Sequence, residues 1–463
     1  MRRLTLHVGA IFLLTLVPIG CGDVARVSIA AGSGATPVLP PERSSLLPTV
    51  HIAPAKGWPS GQLPTAAPGL AVNAFASGLS HPRWLLVLPN GDVLVAESNA
   101  PAPAESQRKR TLKERVMAYV MKRAGAGVVS PDRITLLRDS HGDGVADQRF
   151  VFAEHLRSPF GMALVGDQLY VADTDAIIHF TYHSGDTQAA SAPVTLASLP
   201  AGPINHHWTK NVMANSVGTR LYVTVGSNSN VAENGMANEV GRAAIWEIAL
   251  PRGESRIFAT GLRNPNGMAW EPNSDTLYTV VNERDELGSD LVPDYLTSVK
   301  PGGFYGWPYA YYGSHVDQRV QPARPDLVAN AVTPDYALGA HTASLGLAWS
   351  GSIHFSPPYR TGMFIGQHGS WNRQPLSGYK VVFVPFVENR PVGIPLEVLT
   401  GFINDRGEAY GRPVGVAILP NGALLVADDV GNTIWRVTDT RPPWVRSYTQ
   451  TPTPPTGNEL PVQ

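Results

Sequence analysis

Seven histidine, arginine and asparagine residues of this sequence stand beside short apolar segments, where their side chains could act together. They are His207, Arg263, Asn264, His341, His368, Arg373 and Arg412. An imidazole can accept a proton near neutral pH, and a guanidinium binds a carboxylate through two parallel hydrogen bonds. If the fold brings these groups together, they form a site for proton abstraction and for a ligand that carries several carboxylates.

The apolar segments belong to a repeated unit of strand, turn and second strand. Its six copies begin near His81, Ser158, Lys210, Asn264, Leu345 and Arg412. Asn-Gly pairs, as at Asn90 and Gly91, supply the positive φ angles of a tight hairpin. Units at spacings of roughly 50–80 residues predict an all-β, six-bladed propeller around a central channel. The residues that precede each repeated strand then lie at the mouth of that channel.

One short insertion, residues 111–125, has helical periodicity and a basic face. We expect a solvated helix on a loop, with contact to a membrane surface or a partner as the alternative. The net charge of −1 gives no support for nucleic-acid binding. Because Cys21 is the only cysteine, disulfides within the chain, cysteine zinc sites and attachment of a c-type haem are excluded.

The two ends of the sequence differ from its middle. Residues 1–21 read as a signal peptide, and Cys21 resembles a bacterial lipoprotein cleavage site that would carry a lipid anchor. The alternative is a plain signal peptide cut near Ala30. We expect an exported protein, periplasmic or anchored to a membrane, with a linker at 22–68, the propeller domain at 69–440 and a disordered tail at 441–463.

Six segments carry a resemblance that extends over roughly residues 70–438. They are 207–210, 261–267, 282–288, 303–309, 368–373 and 411–413. On these segments the chain resembles the soluble pyrroloquinoline-quinone (PQQ)-dependent sugar dehydrogenases, and most of all their sorbosone dehydrogenase-like branch. The resemblance implies a six-bladed propeller that binds PQQ at the channel mouth. It makes His207 the general base, and it places Arg263, Asn264 and Arg412 against the quinone.

The resemblance also implies a calcium ion beneath the quinone. The main-chain carbonyl groups of Glu283 and Arg284 match its ligands, and calcium accepts such neutral oxygens readily. The charge of the ion would polarise a quinone oxygen. The glucose-oxidising branch has glycine and proline at these two positions, so the loop of this chain differs from that branch.

Two further differences concern the binding of the cofactor. His368 stands near the position of a cofactor-binding lysine of the glucose-oxidising branch, and Val414 replaces a second arginine. These differences argue against glucose itself as the substrate. We assign His368 and Arg373 to the cofactor, and His341 and Trp208 to the substrate.

The predicted function is PQQ- and calcium-dependent oxidation of a sugar or an aldehyde such as sorbosone. Without a haem attachment motif, the electrons must pass to an external acceptor, a quinone or a cytochrome. One alternative is a calcium-dependent hydrolase of the lactonase type, which needs carboxylates where this chain has arginine and histidine. The other alternative is a non-catalytic surface propeller that binds a glycan or a protein.

Overall fold

The predicted six-bladed propeller is confirmed. The computed structural model describes residues 22–43, 49–101 and 112–441, and the predicted signal peptide, Cys21 and nearly all of the predicted tail lie outside these ranges. The strands form six antiparallel sheets of four or more strands. Within a sheet, strands that follow one another in the chain lie side by side, and three of the sheets add a strand from the N-terminal part of the chain. We number these blades one to six from the first of the six repeats.

The first three blades each have four strands, given from the innermost outwards. Blade one has the strands Pro82–Val87, Val93–Glu97, Arg133–Arg138 and Gln148–Ala153. Blade two has the strands Met162–Val165, Gln168–Ala172, Ala176–Thr181 and Val194–Ser198. Blade three has the strands Val212–Ala214, Arg220–Val225, Ala244–Ala249 and Ser255–Thr260.

Blades four and five each gain a short fifth strand from the N-terminal part of the chain. Blade four has the strands Asn264–Glu271, Thr276–Asn282, Pro293–Ser298, Tyr336–Ala340 and Ser33–Gly34. Blade five has the strands Ser344–Trp349, Gly362–Gln367, Lys380–Val387, Leu396–Thr400 and Thr65–Ala66. Two small additions are Arg390–Pro391, paired with Lys380–Val387, and the hairpin Ala310–Tyr311 with His315–Val316.

Blade six closes the ring with strands from both ends of the propeller. Its strands are Pro413–Ile418, Leu424–Asp428, Thr433–Asp439 and, outermost, Leu70–Ser77. The innermost strand of each blade contacts those of both neighbours, including blade six against blade one. Apolar side chains between adjacent blades form the core, in which Val95, Val223 and Val426 are fully buried.

Glycines in the repeated unit allow the innermost strands to approach one another closely. A Cβ on Gly267 would lie 2.5 Å from the carbonyl oxygen of Leu345 in blade five. A Cβ on Gly346 would lie 2.1 Å from the carbonyl oxygen of Val414 in blade six. Because such distances are shorter than any van der Waals contact, only glycine fits, and the repeat keeps the channel narrow.

The helices are few. The predicted insertion contains an α-helix, Leu112–Met121, which continues as a wider turn at Lys122–Ala126. A 3₁₀ turn, Met236–Glu239, lies between strands of blade three, and a one-turn helix, Pro325–Val328, lies in blade four. Within the described ranges, no helix is both long and apolar enough to cross a membrane.

The expectation that residues 22–68 form a linker is corrected for the described residues of that stretch. Ser33–Gly34 pairs with blade four, and Thr65–Ala66 pairs with blade five. Ala53 is fully buried, and the Trp58 Nε1 donates a 2.7 Å hydrogen bond to the Asp428 carboxylate of blade six. This extended, proline-rich segment crosses several blades and buries single side chains against each of them. Such a segment has no helical or strand periodicity in its sequence, and its composition therefore suggested a linker.

Candidate active site

His207 lies in the loop that leads into blade three. Its Nδ1 is 2.8 Å from the Ser227 carbonyl oxygen, which can only accept, so Nδ1 carries the proton and Nε2 keeps a free lone pair. The buried Lys210 fixes the same loop, since its Nζ donates to the carbonyl oxygens of His207 and Trp208 at 3.4 and 3.2 Å. Burial, and the charges of His206 and Arg263, lower the pKa of His207 well below its usual value. The imidazole is therefore a neutral proton acceptor.

Arg263 and Asn264 begin the innermost strand of blade four, next to His207. The Arg263 guanidinium donates to the Glu283 carbonyl oxygen at 2.7 Å and to the Asp285 carboxylate at 3.1 Å. The Asn264 Oδ1 is buried and has no hydrogen-bond partner, which marks it as an acceptor for a ligand. A Cβ on Gly226 would lie 2.4 Å from this oxygen and 2.6 Å from the His207 Cβ, so glycine brings the two together.

These three side chains line one cavity of about 290 Å³, together with His341, Glu283, Asp285 and Asp294. The His341 Nε2 donates to the Gly288 carbonyl oxygen at 2.9 Å, and its Nδ1 lies 3.4 Å from the Asp285 carboxylate. Burial opposes a charge on His341, but the hydrogen bond and the charge of Asp285 outweigh it and raise the pKa. The charged form of His341 is therefore favoured, whereas the neutral form of His207 is favoured in the same cavity.

A second cavity, of about 130 Å³, adjoins the first and is lined by cationic groups and histidines. Arg412 lies there with its guanidinium 4.9 Å from the centre of the Tyr379 ring, and its Nη2 donates to the Ala53 carbonyl oxygen at 3.2 Å. The His368 Nε2 is 2.9 Å from the Asp429 carboxylate. Burial is the main cause that lowers the pKa of His368 to about 4.

Two residues of the second cavity, His81 and Arg83, were not among the predicted site residues. The Arg83 Nη1 is hydrogen-bonded to the Asp429 carboxylate, and its guanidinium stacks 5.7 Å from the ring of Phe160. A signal was present in the sequence, because His81 and Arg83 immediately precede and begin the first repeat, as Arg412 precedes the sixth. The expectation that residues at the start of each repeated strand lie at the channel mouth holds for blade one as well as for blades three to six, and it includes them.

The two cavities are parts of one cleft. Met121, Ala343 and Trp371 line both of them. Met121 ends the α-helix of the insertion, and Ala124, Gly125 and Ala126 line the second cavity. The insertion therefore forms a wall of the cleft, which the sequence did not indicate.

Arg373 and Trp208 line neither cavity, and the same holds for Arg284 of the predicted calcium loop. The Arg373 guanidinium donates to the carbonyl oxygens of Ser289 and Pro375 at 3.0 and 2.8 Å and so supports a loop. The Trp208 indole packs edge-on against Phe160 and lies beneath the Arg83 guanidinium. The structure therefore does not bring these two side chains to the cleft.

Of the two residues predicted to bind calcium, Glu283 lines the first cavity and Arg284 does not. The Glu283 carbonyl oxygen accepts from Arg263, and the Glu283 Oε1 is buried without a hydrogen-bond partner. Burial raises the pKa of this carboxyl group to about 8. The Arg284 guanidinium turns away and forms a buried ion pair with Asp317 at 2.7 Å. Among the residues described, no group of three or more histidine, cysteine or acidic side chains is arranged to hold a metal ion.

Comparison with known proteins identifies the family. The TrAA12-like family model matches residues 64–302 and 326–440. The chain belongs to this TrAA12-like family. The resemblance to the soluble PQQ-dependent sugar dehydrogenases is thereby confirmed, and the assignment to the sorbosone dehydrogenase-like branch stays a prediction.

Similar sequences come from bacteria and a fungus. An uncharacterised protein of Borreliella burgdorferi is 27% identical over 299 residues, which is 62% of this chain and 77% of that protein. The aldose sugar dehydrogenase YliI of Escherichia coli is 31% identical over 113 residues, 24% of this chain and 29% of the enzyme. A PQQ-dependent pyranose dehydrogenase of Coprinopsis cinerea is 47% identical over 57 residues, 12% of this chain and 7% of the enzyme.

Solved structures share the fold. The holo PQQ domain of the Coprinopsis cinerea pyranose dehydrogenase has a TM-score of 0.65 at 20% identity, over 84% of this chain and 100% of that domain. The PQQ-bound aldose sugar dehydrogenase of Streptomyces coelicolor has a TM-score of 0.52 at 16% identity, over 81% and 99% of the two chains.

Proposed function

We propose that this protein oxidises a sugar, with PQQ as the bound oxidant and His207 as the base. The observation that carries the proposal is the arrangement of His207, whose Nδ1 is fixed by a carbonyl group and whose neutral imidazole shares a cavity with Arg263 and Asn264. The aldose sugar dehydrogenase and the PQQ-dependent pyranose dehydrogenase among its relatives support the same reaction class.

The residues of the cleft fit a flat, anionic cofactor. Arg83 and Arg412 supply two guanidinium groups, and the Nε atoms of both are buried without hydrogen-bond partners. The buried, unpartnered Asn264 Oδ1 supplies an acceptor on the other side of the cleft. Carboxylates of PQQ would bind the guanidinium groups, and bound PQQ would supply a carbonyl carbon that accepts hydride. His368, which its lowered pKa keeps neutral, lines the same cavity as these two arginines.

The chain's own contribution is to hold and deprotonate the substrate. The His207 Nε2 takes the proton from a sugar hydroxyl group, because Nδ1 is already committed to Ser227. His341 lines the same cavity, and its charged form, which Asp285 favours, would attract hydroxyl oxygens. The cleft, walled by Met121 and Trp371, limits the access of water to the reacting groups. The substrate is an aldose or an aldehyde such as sorbosone.

Calcium is part of this proposal. The Glu283 carbonyl oxygen and the buried, unpartnered Glu283 Oε1 are oxygen donors on one residue, with Asp285 and Asp294 in the same cavity. A calcium ion there would take the place of Arg263 as the partner of the carbonyl group, with the Arg284 carbonyl as a further ligand. Its charge would polarise an adjacent oxygen.

Export and lipid attachment at Cys21 are also proposed, on the N-terminal sequence alone. Labelling of the native protein with a radioactive fatty acid, compared with a Cys21→Ser variant, tests the anchor. Label in the native protein that is absent from the variant supports it. A native protein without label argues for a plain signal peptide.

The function is tested on purified protein freed of quinone and metal. PQQ binding is measured by fluorescence titration with and without calcium, and dye-linked oxidation is measured on a panel of aldoses and aldehydes. We expect binding and activity that need both additions, and we expect His207→Gln to bind PQQ but not oxidise sugar. His183→Gln, at an exposed loop histidine, is the matched control. Absence of both PQQ binding and activity overturns the proposal and favours a non-catalytic surface propeller.

A further inference from the structure

The insertion at 112–126 has one face in the cleft and one face in solvent. Met121 lines both cavities and Ala124 is buried, so this side closes the cleft. The insertion is fastened to the N-terminal segment, since the Ala55 amide donates to the Arg123 carbonyl oxygen at 2.8 Å. Gly125 has a φ of 104°, and a Cβ there would lie 3.0 Å from Val430 of blade six. The insertion is therefore held in a defined position over the proposed cofactor site.

The outer face of the insertion is basic with an apolar part. Arg115, Tyr119, Lys122 and Arg123 are exposed, and their spacing of four, three and one residues places them on the side opposite Met121. The Tyr119 side chain is 64% exposed, and Val129, just after the insertion, is 87% exposed. An apolar centre with charged groups around it is the usual make-up of a small protein interface.

The proposed oxidation needs a way out for electrons. The chain has one cysteine and so no c-type haem attachment sequence, and its acceptor must be a separate molecule. The insertion separates the cleft from solvent, so an acceptor that docks on it comes close to the cofactor. Redox encounters use small interfaces and gain their rate from complementary charge.

We propose that this outer face, formed by Arg115, Tyr119, Lys122 and Arg123, is the docking surface for an acidic electron-carrier protein. This inference rests on the proposed function. Two one-electron acceptors dock in turn, each is reduced by one electron, and two protons are released as the two-electron-reduced PQQ returns to its oxidised form. The net charge of the whole chain is only −1, so the attraction is local to this face.

The experiment compares acceptors of opposite charge on the PQQ-loaded enzyme. Native cytochrome c, which is basic, and succinylated cytochrome c, which is acidic, carry the same haem, and a small neutral dye needs no docking surface. The test variant is Arg115→Glu/Lys122→Glu/Arg123→Glu. The control variant is Arg252→Glu/Lys300→Glu/Arg390→Glu. It makes the same charge change in turns after the third strands of blades, at the end of the propeller away from the cleft.

We expect the test variant to reduce the dye at an unchanged rate, which also shows that it is folded. Its kcat/KM for succinylated cytochrome c falls at least tenfold and loses its salt dependence, while that for native cytochrome c rises. The control variant behaves as the parent enzyme does. An equal loss in both variants, or no loss in the test variant, overturns the proposal.

Two further measurements separate the other outcomes. Binding of oxidised succinylated cytochrome c is also measured directly. If the parent enzyme fails to reduce the dye, the proposed function is overturned, and the binding measurement still tests the docking surface. Sedimentation with vesicles of phosphatidylglycerol and phosphatidylcholine tests a lipid partner. Vesicle binding that the test variant loses, with cytochrome binding unaffected, would assign the basic face to a membrane and overturn the proposal.

Discussion

His207 and His341 line the same cavity, but their neighbours favour opposite protonation states. His207 has one ring nitrogen on a carbonyl group and lies near the positive charge of Arg263, so its neutral form is favoured. His341 stands between a carbonyl group and the Asp285 carboxylate, so its charged form is favoured. One cavity thus favours a proton acceptor at His207 and a positive charge at His341, which together assist the deprotonation of a hydroxyl group.

The neutral state of His207 predicts a pH profile. Because its pKa lies well below 6.5, kcat/KM for an aldose should stay at its plateau at pH 6 and fall only at lower pH. His207→Gln should lower kcat by about 100- to 10,000-fold, the usual contribution of a general base. The profile is measured by dye reduction, with dye reduction by a chemical donor as the control. A midpoint at or above pH 6.5, or a loss below tenfold, would contradict this assignment.

The position of Arg83 in the second cavity predicts that its substitution weakens the binding of PQQ. Hydrogen bonds to charged groups contribute about 1.5–3 kcal/mol, so Arg83→Gln should weaken PQQ binding by about 10- to 100-fold. Arg83→Lys, which keeps the charge beside Asp429, should lose less. Fluorescence titration measures both, and Arg149→Gln on the outer strand of blade one is the control. Unchanged PQQ affinity in Arg83→Gln would remove Arg83 from the site.

The sequence predicted which residues lie near the cleft better than it predicted where their side chains point. His207, Arg263, Asn264 and Arg412 reach the cleft because the start of every innermost strand faces the channel mouth. Arg373 and Trp208 were assigned by their nearness to motifs, but their side chains are oriented by distant groups. The main partner of Arg373 is Ser289, 84 residues away. Such pairings follow from the packing of blades four and five and cannot be read from local sequence.

The segment 49–68 packs against the propeller, although its composition suggested a linker. Trp58 donates to Asp428, and its ring packs against Phe402, Tyr410 and Trp435 with centroid distances of 5.3–5.5 Å. The same Asp428 accepts from the Arg412 amide at 2.7 Å. The segment therefore supports the second cavity as well as blade six.

This role predicts a loss of stability on truncation of Trp58. Trp58→Ala should lower the free energy of unfolding by about 3 kcal/mol, because it removes three aromatic contacts and leaves a cavity. Trp58→Phe keeps the ring contacts, loses the hydrogen bond to Asp428 and should cost about 1 kcal/mol. Urea unfolding, followed by tryptophan fluorescence and circular dichroism, measures both. Equal stability of parent and Trp58→Ala would mean that the segment is a tether after all.

For the whole molecule, the number of blades was predictable and the closure of the ring was not. The repeat appears in the sequence in part because the innermost strands of blades four and five have glycine where the next blade approaches, at Gly267 and Gly346. Closure depends on Leu70–Ser77 pairing with Thr433–Asp439, more than 350 residues apart along the chain. No local pattern reports such a pairing, and the same holds for the short strands added to blades four and five.

Burial of histidines in the cleft predicts a contribution to the stability of the propeller that is lost in acid. The pKa values of His81, His207 and His368 are lowered in the folded protein, mainly by burial, with that of His368 at about 4. An unfolded histidine binds a proton near pH 6.5. Between pH 6.5 and 4 these three histidines therefore bind more protons in the unfolded chain, and their contribution to the free energy of unfolding falls as the pH falls. The carboxyl groups of Glu283 and Asp428, whose pKa values burial raises to about 8 and about 6, act in the opposite direction, because the folded protein binds their protons at a higher pH than the unfolded chain does.

His368→Gln isolates one of these contributions. Removing the group should lower the slope of the free energy of unfolding against pH, between pH 6.5 and 4, by up to about 1.4 kcal/mol per pH unit, the effect of one proton. Urea unfolding at intervals of half a pH unit measures the slopes of parent and variant. His183→Gln, at an exposed histidine, should leave the slope unchanged. If His368→Gln and the parent show the same slope, His368 takes up its proton as readily in the fold as outside it, and burial in the second cavity does not hold it neutral.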